Sequence, residues 1–116
     1  MDPLYDMAKT ALSVPLALQS YRLAWKLIRR LLQNTCKYIQ SELAKELNIS
    51  PSSVSRYLKQ AEDCGYIKRD DKGIHLKDKK MFIITSESTF AFIKNVYPNI
   101  LTDEDIAERK IHNYNE

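Results

Sequence analysis

Hydrophobic residues recur at three- and four-residue spacing through most of this chain, so helices dominate its predicted structure. Asp2-Pro3 reads as an N-cap and a first-turn proline, opening a helix from about Pro3 to Ser13 with Leu4, Ala8, Ala11 and Leu12 as its stripe. Pro15 is expected to break or kink it. The longest signal follows, from Leu16 to about Gln33. At about 100° per residue, Gln19, Arg22, Lys26, Arg29, Arg30 and Gln33 gather on one third of that helix. Leu16, Leu23, Trp25, Leu27, Ile28 and their apolar neighbours cover most of the remainder. A surface helix needs an apolar stripe of little more than about 100°. The surplus predicts cover by the terminal helices or by a second subunit, and homodimerisation through Leu16, Leu23, Trp25, Leu27 and Ile28 is the favoured expectation.

The middle of the chain changes rhythm. Tyr38-Ile39 leans towards a short strand within Thr35–Gln40. Leu43, Ala44 and Leu47 then form a narrow stripe, and Asn48-Ile49-Ser50 stops that helix, because Asn tolerates left-handed dihedrals. Ser50-Pro51 starts a second helix, running to about Cys64 on a buried stripe of Val54, Leu58 and Ala61. Gly65 ends it. Tyr66–Arg69, the turn Asp70-Asp71-Lys72-Gly73 and Ile74–Leu76 read as a hairpin. Met81–Thr85 is β-branched and apolar, and predicts a further strand. Ser86 or Ser88 would then cap a helix carrying Phe90, Ile93 and Tyr97, ended by Pro98. Thr102 with Asp105 resembles a capping box for a last helix to about Ile111, and residues 113–116 are expected to fray.

Two short helices around a tight turn, then a glycine and a basic hairpin, are carried by Leu43-Ala44-x-x-Leu47-x-Ile49-Ser50, Val54-Ser55-Arg56-x-Leu58 and Gly65-Tyr66-Ile67. Over roughly Tyr21 to Leu76 this segment resembles the winged helix-turn-helix of the MarR, ArsR and related transcription regulators. The resemblance implies a mainly α fold with a small β-wing and additional N- and C-terminal helices. The whole chain reads as one domain, with residues 1–34 for dimerisation, 35–76 for the helix-turn-helix and wing, and 77–116 for a C-terminal strand and helices.

Charge and candidate chemistry sharpen this picture. Residues 1–34 hold five cations and two acids, 35–80 ten and seven, and 81–116 three and six. The basic excess therefore accompanies the helix-turn-helix and the helix before it. Ser52, Ser53, Ser55, Arg56 and Lys59 share the outer side of the second helix, a residue set suited to phosphates and base edges. Tyr57 would touch the DNA backbone or a thymine methyl. Gln40 and Ser41 would hold a phosphate at the start of the first helix, and Lys68, Arg69 and Lys72 would straddle the minor groove or backbone. Double-stranded DNA is thus the expected partner and the major groove the expected reading site.

Two other binding roles stay open at this stage: a protein-interaction adaptor, and an accessory that coats DNA without sequence preference. An effector pocket lined by Trp25, Phe90, Phe92 and Tyr97 is a weaker alternative to plain core. With only two glycines there is no phosphate-cradling loop, and His75 and His112 have no catalytic or ligand-like spacing, so no enzyme activity, metal or cofactor is expected. Cys36 and Cys64 read as two partly buried thiols, with a mutual disulfide as the alternative. No apolar run approaches the roughly 18 residues of a membrane span. Met1-Asp2-Pro3 lacks a basic leader region, so the default address is the cytoplasm.

Overall fold

A computed structural model describes residues 3–33 and 39–110, with backbone alone for residues 3–15. The elements run α1 (Pro3–Gln33), α2 (Ile39–Leu47), α3 (Pro51–Asp63), β1 (Ile67–Asp70), β2 (Gly73–Leu76), α4 (Lys79–Val96) and α5 (Asp103–Glu108). The fold is a winged helix-turn-helix, mostly helical, with β1 and β2 as its wing.

α1 is continuous, so the expected break at Pro15 does not occur. A helix can carry an internal proline at the loss of one i→i−4 bond, and here the turns on either side stay helical. Residues 34–38, with Cys36 and most of the expected first strand, lie outside the described residues. Ile39 and Gln40 belong to α2 rather than to a strand. The expected strand at Met81–Thr85 is likewise helical, forming the first turns of α4. Its cap is Asp78, whose carboxylate accepts from the Met81 N–H at 3.1 Å, and not Ser86 or Ser88. A polar cap and a buried helical face of Phe82, Ile83, Phe90 and Ile93 outweigh the β-leaning of Ile83-Ile84-Thr85.

α1 lies at the centre, with α2, α3, β2, α4 and α5 packed around it. Leu23, Trp25, Leu27 and Ile28, expected at a dimer contact, are instead buried in the chain's own core, while Leu16 is exposed. The apolar surplus of α1 is therefore met from within. A helix surrounded on several sides needs more than one apolar stripe, and each large side chain fully buried contributes roughly 1.5–3 kcal/mol. Ile39 and Leu43 from α2, Val54 and Leu58 from α3, Ile67 from β1 and Phe82 and Ile93 from α4 complete the core.

α5 is pinned to the centre by polar contacts. Thr102 and Asp105 form the expected capping box, each accepting the other's N–H at 3.1 Å. The helix ends at Glu108, and Ile111 lies outside the described residues. Arg22 grips the buried Asp105 carboxylate with two bonds of 2.8 and 2.9 Å, and the Tyr21 hydroxyl donates to the Asp105 carbonyl. Arg109 pairs with Glu87 at 2.8 Å and lies 4.1 Å over the Phe90 ring, tying the same end to α4.

Candidate nucleic-acid interface

The turn between α2 and α3 is built from two complementary stops. Asn48 takes a left-handed φ of 54°, and the Ile49 N–H reaches back to the Ala44 carbonyl at 3.0 Å. This is a Schellman closure with Asn at the position glycine usually fills. Ser50 then caps α3, accepting from the Ser53 N–H at 3.2 Å, and Pro51 opens the first turn. Gln40 is spent on structure: its amide donates to the Pro51 carbonyl at 3.1 Å and links the starts of α2 and α3. Ser41 is exposed in the first turn of α2.

α3 buries Val54, Leu58 and Ala61 and turns Ser52, Arg56 and Lys59 outward. Its hydroxyls form a chain, with Ser50 Oγ 3.1 Å from Ser52 Oγ and 2.9 Å from Ser53 Oγ. Arg56 Nη2 leans on Ser53 Oγ at 3.4 Å, which steadies one arm of the guanidinium and leaves the other to face outward. Ser55 is half-buried on one flank. Tyr57 is turned inward: it packs against the core and lines a cavity of about 200 Å³ with Ala24, Tyr66 and Phe82. Burial there pushes its hydroxyl pKa well up. Its placement therefore differs from that of its serine and arginine neighbours.

Gly65 ends α3 at φ 83°, with the Tyr66 N–H returning to the Ala61 carbonyl at 2.9 Å. The chain enters the wing directly, pairing Lys68 with His75 and Arg69 with Ile74. Asp70 organises the tip. Its carboxylate accepts the Lys72 N–H at 2.8 Å and meets His75 Nε2 at 2.9 Å, which holds its pKa below the ordinary carboxylate range. Arg69 turns back to Glu62 on α3 at 3.0 Å and holds that carboxyl low in turn. Lys68 and Lys72 are exposed.

The cations expected to enrich the site divide into two sets. On α1, Lys26 meets Glu46, Arg30 meets Glu42 and Glu46, Arg29 meets Glu108, and Arg22 meets Asp105. The basic surplus of that helix is thus neutralised by α2 and α5. Arg56, Lys59, Lys68 and Lys72 have no ion pair among the described residues, and they share α3 and the wing. Sequence reasoning missed Glu42, Glu46 and Glu62 as partners. The spacing of Arg30 to Glu42 and of Glu62 to Arg69 crosses element boundaries, so no helical periodicity announces it.

Cys64 is a free, exposed thiol rather than a partly buried one. Phe90 and Phe92 face opposite sides of α4, one buried and one exposed, so the aromatic set proposed for an effector does not line one space. Among the described residues no group of His, Cys, Asp and Glu gathers as a metal site, and no helix is long and apolar enough to cross a membrane.

No curated protein matches the chain. Residues 24–68, from Ala24 in α1 through α2, α3 and the Gly65 turn to Lys68 in β1, match the protein family described as winged helix-turn-helix DNA-binding.

Proposed function

We propose that this chain is a sequence-specific reader of double-stranded DNA, acting as a homodimeric transcription regulator. α3 would lie in the major groove, with Ser52, Arg56 and Lys59 against base edges and phosphates, while Lys68 and Lys72 follow the backbone or adjacent minor groove. One observation carries this reading. The described cations of α1 are all paired with acids, whereas those of α3 and the wing tip keep their charge for a polyanion. Arg56 is the specificity residue, since its fork can pair with a guanine edge, worth about 1–3 kcal/mol of discrimination. Lys59 supplies mainly phosphate attraction. A two-fold dimer would recognise half-sites about one helical turn apart.

The test is selection from a random DNA pool followed by titration of the selected site across a salt series. Arg56→Ala should relax specificity and weaken the selected site by the equivalent of about 1–3 kcal/mol. Lys59→Ala should weaken all sequences alike and lower the salt slope by about 1. Wild-type affinity and slope in both variants would reject α3 as the reading element. A footprint that spreads without a preferred site would select non-specific coating instead.

A further inference from the structure

Three serines at the head of α3 form a hydrogen-bond chain with a definite direction. A hydroxyl has one hydrogen and two lone pairs, whereas a guanidinium only donates. Arg56 Nη2 therefore donates to Ser53 Oγ at 3.4 Å, and the Ser53 N–H takes one lone pair of Ser50 Oγ at 3.2 Å. Ser50 keeps one hydrogen and one lone pair for two neighbours, Ser53 Oγ at 2.9 Å and Ser52 Oγ at 3.1 Å. It accepts from one and donates to the other.

Burial and charge choose between the two arrangements. If Ser50 donates to Ser53, Ser53 accepts twice, and its own hydrogen has no partner among the described residues although the side chain is half-buried. If Ser53 donates to Ser50 instead, every bond is kept and the one remaining hydrogen belongs to Ser52, which is exposed. An unmet polar hydrogen costs less where water or an incoming group can meet it. The Arg56 charge acts in the same sense, because a hydroxyl that accepts from a cation becomes a stronger donor to the next in line. The order of donation is therefore Arg56 to Ser53, Ser53 to Ser50 and Ser50 to Ser52.

We infer that Ser53 is a positioning residue for DNA recognition and that Ser52 is the donor at the end of its chain. The inference rests on the reading of α3 as the recognition helix and adds the chemistry which that helix selects. Arg56, Lys59 and Ser52 are all exposed, and all three then present hydrogens outward. Such a face favours guanine N7 and O6 and phosphate oxygens over base edges that carry an amino group, those of adenine and cytosine. Ser53 acts through its neighbours. It sets the direction of the Ser52 hydrogen and holds one arm of Arg56, so both donors meet DNA already oriented.

The experiment is fluorescence-anisotropy titration of the selected DNA site and its single-base variants with wild type, Ser52→Ala, Ser53→Ala and the double variant. Ser53→Ala keeps the backbone N–H that Ser50 caps, so its thermal melt should match wild type. Each single variant should bind the selected site about 5-fold more weakly, the worth of one ordinary hydrogen bond. The double variant should be no weaker than the weaker single one, because the two hydroxyls act as one chain. Ser53→Ala should also flatten the base preference at an unchanged salt slope, since no charge is lost, and Ser53→Thr should restore that preference. A Ser52→Ala loss confined to one base pair places the donor on a base edge, and an equal loss on all sequences places it on a phosphate. Wild-type affinity and preference in Ser53→Ala would overturn the chain while leaving Arg56 as the reader. So would a double variant about 25-fold weaker, the product of two independent losses. A wild-type protein that binds no duplex would instead overturn the reading of α3 itself.

Discussion

Removing the Asp105 carboxylate tests how α5 is held. That group does two jobs: it accepts both arms of Arg22 at 2.8 and 2.9 Å, and it closes the capping box on the Thr102 N–H at 3.1 Å. Breaking a fully buried ion pair typically costs about 3–5 kcal/mol. Here Arg22 is 35% exposed and can rehydrate, so its share falls to the surface value of about 1 kcal/mol or less. Loss of the cap adds about 1 kcal/mol. Asp105→Ala should therefore destabilise the fold by about 2 kcal/mol. Asp105→Asn keeps an acceptor for Thr102 and should lose only about half of that. In a domain of this size 1 kcal/mol shifts Tm by roughly 4 °C, so the alanine variant should melt about 8 °C lower. Trp25, the only tryptophan and fully buried, reports the transition by fluorescence.

The same carboxylate gives the effect a pH signature. Burial alone would raise the Asp105 pKa, but the bonds from Arg22 and Thr102 outweigh it and leave the group below its ordinary value. A depressed folded-state pKa stabilises the fold above the unfolded value of about 3.9, and that stabilisation fades as pH falls through the folded value. The gap between wild type and Asp105→Asn should thus be flat from about pH 5 to 8 and shrink below about pH 4. A gap under about 0.3 kcal/mol at pH 7, or one that widens on acidification, would refute the assignment of Asp105 as the charged anchor.

Two further outcomes follow from the turn and the wing. Gly65→Ala should cost about 1 kcal/mol in urea melts, because a Cβ there meets nothing within 4 Å and only the φ of 83° resists it. A loss near 3 kcal/mol would mean a steric clash that the open space does not provide. In salt-dependent DNA titrations, Lys68→Ala and Lys72→Ala should each lower the slope by about 0.9. Arg69→Ala should change it less, because Glu62 already neutralises Arg69, and an equal or larger effect would show that this pair opens on DNA.

Much of the helix-turn-helix was legible because its signals are local. Asn48, the Ser50-Pro51 start, Gly65 and the Asp70–Gly73 turn each specify a backbone conformation through their own side chain or lack of one. The Thr102–Asp105 box was equally readable. Met81–Thr85 misled because intrinsic strand preference is weak beside a capped helix with a buried face, and the distant elements that supply that burial leave no mark in the segment. The excess of apolar residues on α1 was visible, but the choice between self and partner was not, since a stripe carries no label for what covers it. Arg69 looked like a wing contact because nothing within the wing reveals Glu62 across the turn.

The orientation of α3 depends on a short series of fixed joints. Arg30 and Lys26 hold α2 to α1 through Glu42 and Glu46. Gln40 then holds α2 to the first residue of α3, and the Asn48 and Ser50 turns leave the connection no slack. α4 packs on the same α1 from another side. In a homodimer joined through elements packed on α1, the spacing of the recognition helices is set by packing along α1 and α3 rather than by a flexible linker. A dimer built this way would tolerate little variation in half-site separation. Inserting or deleting one or two base pairs between selected half-sites should then abolish cooperative binding while leaving each half-site's own affinity intact. Unchanged affinity for the altered spacings would mean that the subunits are joined elsewhere or move freely.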